Sequence, residues 1–185
     1  MKPFQPKSCK GDNISFKEEL RDFLKDYEKL IILGIGNELR YDDGVGPFII
    51  SNLNKYELSD KVMLINAQTV PENFTGKIRI EKPSHIIIID ACLMGLAPGE
   101  FKIVDEDDFA EIGISTHSMS LSYFVKFLNN DNVLFIGIEP ETLELIDQDS
   151  LGVLGADLMD FNGELTENVQ KSAEELVELL RETLT

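Results

Sequence analysis

Short apolar runs alternate with amphipathic stripes along the whole chain. Leu30–Leu33 is an unbroken apolar run, the pattern of a parallel strand buried on both faces. Gly34 and Gly36 bracket Ile35 where that strand should end, which permits a sharp turn. After a short loop Val45, Phe48, Ile49 and Leu53 begin a helical stripe predicted to run from 45 to 56. The cycle then repeats. Residues 61–66 (KVMLIN) predict a second strand, and Pro71, Glu72 and Asn73 a helix start, since Pro is tolerated in a first turn. NFTGKIRIEKP reads as a short helix and connector. Residues 84–90 (SHIIIID), with four consecutive isoleucines, predict the strand best suited to a two-sided core. Residues 101–105 predict a fourth strand and 132–138 a fifth. Further helical stripes fall at 15–27 (Phe16, Leu20, Phe23, Leu24, Tyr27), at Leu121, Phe124, Val125 and Leu128, and over 165–184 (Val169, Ala173, Leu176, Leu179, Leu180). The acidic cluster from Asp105 to Asp108 predicts the cap of a short helix through Ile112, whereas 145–162 has no clear period.

Strands alternating with helices define the α/β class: a single domain with a twisted, mostly parallel sheet of about five strands and helices on both faces. Residues 1–13, with two prolines and a glycine, read as a flexible N-terminal arm. Residues 14–185 read as one domain, in which 14–28 is an extra helix laid on the outside of the sheet. In such a sheet ligands bind at the carboxyl ends of the strands, so the polar residues expected there are the candidate chemistry. Asp42 and Asp43 follow the first strand, and Asp90 ends the third. His117 lies in the polar loop 115–118, before a helix that can bring it to the same lip. One imidazole and two carboxylates suit a divalent metal with open coordination positions, zinc less than others. One of the paired aspartates is also expected to cap the helix that follows. His85 starts its strand at the opposite end and reads as structural. GIGNEL is a partial dinucleotide fingerprint, but Leu39 stands where the third glycine belongs and two aspartates would repel a pyrophosphate. Ser115 and Ser118 flank His117 without the setting of a nucleophile elbow.

Composition narrows the partners. Among 185 residues, 17 are Lys or Arg and 34 are Asp or Glu, a formal net charge of −17. A field of that sign disfavours nucleic acid and anionic membrane surfaces, and favours a protein partner with a basic patch. The two cysteines, Cys9 and Cys92, make no disulfide framework and point to a reducing cytoplasm, with Cys92 a small core residue. No apolar run approaches the roughly 20 residues of a membrane span, and the N-terminus has no apolar segment of the signal-peptide kind.

Five blocks carry a family resemblance: GIGNELRYDDGVG (34–46), TVPENFTG (69–76), IIIIDACLMGLAPGE (86–100), STHSMSLSYF (115–124) and FIGIEPETLE (135–144). In this order and spacing the chain resembles the nickel–iron hydrogenase maturation endopeptidases. The PENF and APGE elements look closest to the branch that processes energy-converting, formate-lyase-type large subunits. The resemblance implies an aspartyl-type endopeptidase that removes a short C-terminal peptide from the nickel-loaded precursor of a hydrogenase large subunit. The nickel would be the recognition element. It would arrive with the substrate and be bound by two acids and a histidine, which map to Asp43, Asp90 and His117, with Asp42 in a supporting role. With the composition, this gives the expectation of a cytoplasmic monomer with no tightly bound cofactor of its own, no nucleic-acid partner and no membrane insertion. Two alternatives stand beside this reading. One is a non-catalytic nickel-sensing chaperone of the same large subunit. The other, by fold analogy, is a nucleosidase or phosphorylase, which would want basic residues at the lip, where only Arg40 is near.

Overall fold

The computed structural model describes residues 13–104, 113–114, 121–128, 130–143 and 164–185. Residues 1–12 of the expected arm 1–13, the acidic cluster at 105–108 with its expected helix, the His117 loop and the stretch 145–162 lie outside the described residues.

The apolar runs become the sheet. β1 (Leu30–Ile35) is buried along its whole length, and β3 (His85–Leu93) is buried from Ile86 to Cys92. With β2 (Val62–Gln68), β4 (Phe101–Val104) and β6 (Val133–Ile138), they assemble in the order β2-β1-β3-β6-β4. β1, β2, β3 and β6 run parallel, while β4 closes the edge antiparallel to β6. All five expected strands are present. The addition is β5 (Gly113–Ile114), two residues paired antiparallel with the end of β3. A pairing that short has no periodicity to be read from sequence.

Because side chains alternate along a strand, the central strands feed two cores. Ile32, Ile87 and Ile89 point to one face, where they pack with Leu20, Ile49, Leu53, Leu176 and Leu180. These come from α1 (Asn13–Phe23), α2 (Val45–Leu53) and α5 (Glu167–Leu184). Ile31, Leu33, Ile86 and Ile88 point to the other face, against Ile78 of α3 (Thr75–Glu81) and Phe124 and Leu128 of α4 (Leu121–Leu128). Each such side chain contributes about 1.5–3 kcal/mol through burial. α1 lies across the sheet, with Phe16 edge-on to Phe101 at 4.9 Å and Phe23 edge-on to His85 at 5.1 Å. Among the described residues no helix is long and apolar enough to cross a membrane.

Register and close backbone packing build the lip. Gly34 pairs with Ile89, and Asp90 with Gly137, so the ends of β1, β3 and β6 come level. The first turn of α2 lies directly on the end of β1. A Cβ on Gly34 would stand 2.4 Å from the Gly46 carbonyl oxygen, and one on Gly46 would stand 2.2 Å from the Ile35 oxygen. No side chain fits between these backbones, which is why glycine occupies both positions.

Candidate active site

Beyond β1 the chain folds back on itself. The Asn37 side chain accepts the Leu39 amide at 3.0 Å. The Arg40 amide donates to the Asn37 carbonyl, the Asp43 amide to the Arg40 carbonyl, and the Asn37 amide to the Asp43 carbonyl, each at 3.0 Å. Tyr41 takes a positive φ of 44° at the start of a 3-10 helix, Tyr41–Gly44. A tyrosine in that region is strained, and such strain collects at functional sites where the surroundings enforce it. The turn carries Asp42 and Asp43 inward, to 0% and 1% exposure.

The two carboxylates have opposite surroundings. Asp42 Oδ2 accepts the amides of Glu141 at 2.9 Å and Thr142 at 3.0 Å, and the Thr166 hydroxyl at 3.1 Å. Its Oδ1 accepts the Thr166 amide at 2.8 Å and the same hydroxyl at 3.0 Å. Asp43 is as deeply buried, yet among the described residues neither of its oxygens has a hydrogen-bond partner. The expected helix cap is therefore corrected: the residue before α2 is Gly44, and no side chain caps that helix. Donors from the far end of the chain engage Asp42 instead.

Asp90 is wholly buried near the end of β3, where its Oδ1 accepts the Ala91 amide at 2.8 Å. The 3-10 helix that carries Asp43 packs against β3. Both aspartates thus belong to the lip of adjacent strands, while His117 lies outside the described residues. His85 sits at the opposite end of β3, its Nδ1 3.0 Å from Ser84 Oγ, and burial holds its pKa below the usual histidine value. Cys92 is buried, and burial holds its thiol far above its ordinary range, so it stays protonated and unreactive.

Sequence reasoning missed Glu139. It is only 6% exposed, and its Oε2 accepts the amides of Met94 at 2.6 Å and Leu96 at 3.2 Å. Its backbone exchanges bonds with the same loop, the amide donating to the Glu100 carbonyl and the carbonyl accepting the Gly99 amide, both at 2.8 Å. The available signal was position, since Glu139 directly follows an apolar strand just as Asp90 ends one. Arg40, considered only as a phosphate ligand, donates from its guanidinium to the Leu143 carbonyl at 2.9 Å.

A parallel α/β sheet with buried acids at its carboxyl lip places a ligand there, and comparison with known proteins supplies the class. Residues 47–183 match the family model described as hydrogenase maturation protease, and the chain belongs to that family. The match begins after Asp42 and Asp43 and spans Asp90 and His117. A Methanocaldococcus jannaschii protein named as a hydrogenase maturation protease is 42% identical over 138 residues, covering 69% of this chain and 82% of that one. The hydrogenase 3 maturation protease of Escherichia coli K12 is 38% identical over 114 residues, 60% of this chain and 72% of that one. The crystal structure of the nickel–iron hydrogenase maturation protease HycI from Thermococcus kodakarensis superposes with a TM-score of 0.73 at 27% identity, covering 89% of this chain and 97% of that one. The protein is a peptidase, and so a hydrolase.

Proposed function

We propose that this protease removes a short C-terminal peptide from the nickel-loaded precursor of a nickel–iron hydrogenase large subunit, and that Asp43, Asp90 and His117 bind the nickel that the substrate carries in. The observation that supports this most is Asp43. A carboxylate removed from water without a donor costs several kcal/mol unless a proton or a cation compensates it. A divalent ion supplied by the substrate compensates it without a protein donor, and Asp90 on the adjacent strand adds a second hard ligand. Nickel held there would sit beside the bound chain, able to polarise the scissile carbonyl or a water. Three protein ligands leave positions for ligands from the precursor, which ties cleavage to metal loading. The net charge of −17 favours a precursor that presents a basic surface. The low cysteine count supports a cytoplasmic setting.

The test is mass spectrometry of the precursor, nickel-loaded and nickel-free, after incubation with the protein. The nickel-loaded form should lose the mass of a C-terminal peptide and the nickel-free form should stay intact. Cleavage of both forms would remove nickel as the recognition element. Nickel-dependent binding without cleavage would favour the chaperone reading.

A further inference from the structure

Two buried carboxylates at the lip, Asp42 and Glu139, lie outside the proposed metal set and accept backbone amides from other segments of the chain. We propose that Asp42 and Glu139 are positioning residues of this protease: each is a strut that holds in register a loop beside one of the proposed ligands, and neither touches the substrate. The proposal rests on the site assigned above.

Asp42 receives the amides of Glu141 and Thr142 from the segment after β6, and the amide and hydroxyl of Thr166 from the residue before α5. One carboxylate thereby fixes two segments of the chain to the 3-10 turn, and the next residue in that turn is Asp43. Arg40 closes the same seam from the other direction by donating to the Leu143 carbonyl. An anion meeting three amides and a hydroxyl is held by charge-assisted bonds, the strong kind. Its oxygens are committed to these donors, which leaves Asp42 poorly placed to take a proton from water or substrate. Glu139 does the equivalent for β3. By accepting the Met94 and Leu96 amides it pins the loop that leaves the strand carrying Asp90. Of the adjacent aspartates, then, Asp42 satisfies backbone donors, while Asp43 has no hydrogen-bond partner among the described residues. A misplacement of about 1 Å at a catalytic group can cost about a hundredfold in rate, so the struts bear on the reaction without joining it.

The experiment compares Asp42→Asn, Glu139→Gln, Thr166→Val and Thr166→Ser in the full chain, at a temperature where each is folded. Backbone amide exchange is measured without substrate, and kcat and KM with nickel-loaded precursor. Asp42→Asn turns a donor toward at least one amide. Exchange at Glu141, Thr142 and Thr166 should accelerate, and kcat should fall by about a hundredfold with KM changed by less than about threefold. Thr166→Val removes one hydroxyl donor and should lower kcat by about tenfold, while Thr166→Ser restores it. Glu139→Gln should show the same pattern at Met94 and Leu96. The pH–rate profile of Asp42→Asn should keep its shape. Loss of one limb of that profile would overturn the proposal by making Asp42 a proton carrier. Faster exchange with unchanged kcat would overturn it by making the struts merely structural. If Asp42→Asn does not fold, the Thr166 pair carries the test. Unchanged exchange at these amides overturns the proposal whatever the substrate, whereas failure of the wild type to cleave counts against the substrate reading instead.

Discussion

Gly36 lies so close to the Asp43 carbonyl that a Cβ on Gly36 would stand 1.8 Å from that oxygen. The same carbonyl accepts the Asn37 amide at 3.0 Å. The turn that leaves β1 is thus packed directly onto the backbone of the aspartate it delivers, and Gly36 adopts a φ of 136° to do so.

Gly36→Ala should be severely destabilising. Both the backbone angle and the collision with a carbonyl exclude a side chain, and neither neighbour is a flexible chain end that could yield. The expected loss exceeds about 4 kcal/mol, or the variant fails to fold. Gly76 is the contrast: it lies within α3, and a Cβ there meets nothing within 4 Å. Gly76→Ala should stabilise by up to about 1 kcal/mol. Urea denaturation of the two variants checks both.

Asp43→Asn should separate function from stability. Removing a buried charge that has no donor among the described residues should raise the unfolding free energy by on the order of 1 kcal/mol, while cleavage is lost. Nickel ion should raise the Tm of the wild type, through preferential binding to the native state, and should leave that of the variant unmoved. A lower urea midpoint for the variant would mean that the carboxylate has a favourable native partner.

His85 should make stability depend on pH on the acid side of neutrality. Burial lowers its pKa in the folded protein, so below the ordinary value of about 6.5 the unfolded chain takes up the proton first. The contribution of the neutral ring is present above that value and is lost as pH falls through it toward the folded pKa. His85→Phe keeps an aromatic ring against Phe23 and should flatten this part of the stability–pH curve. Cleavage should be retained, because His85 stands at the far end of β3.

Leu39 should serve substrate binding and not folding. It is 79% exposed in the loop leaving β1, and Val70 after β2 and Leu93 at the end of β3 are exposed apolar residues on the neighbouring strands of the lip. An exposed apolar side chain in a loop at the carboxyl lip is placed to be buried by a bound chain. Leu39→Ser should raise KM for the precursor by about tenfold, consistent with one lost apolar contact, with kcat and Tm nearly unchanged. An unaltered KM would remove Leu39 from the docking surface.

The strands were legible in the amino-acid order because burial on both faces leaves an uninterrupted local trace, as in Leu30–Leu33 and Ile86–Ile89. The helical stripes of α2, α4 and α5 were legible for the related reason that one buried face repeats every third or fourth residue. From these alone follow the parallel sheet and the placing of Asp42, Asp43 and Asp90 near strand ends. α3 was harder to bound, since Gly76 and the alternating Lys77–Glu81 weaken a helical pattern. What tertiary structure alone decided is the difference between neighbours. Asp42 and Asp43 share residue type, burial and local helix; the family resemblance assigns them different roles, but nothing in the nearby sequence supplies the physical cause. Their hydrogen bonding differs because Glu141, Thr142 and Thr166, about a hundred or more positions away, bring their donors to one carboxylate and not to the other. Glu139 went unremarked for the same reason: its partners Met94 and Leu96 lie in another loop. A hydrogen bond requires a donor within about 3 Å, and only the folded chain determines which donors come that close.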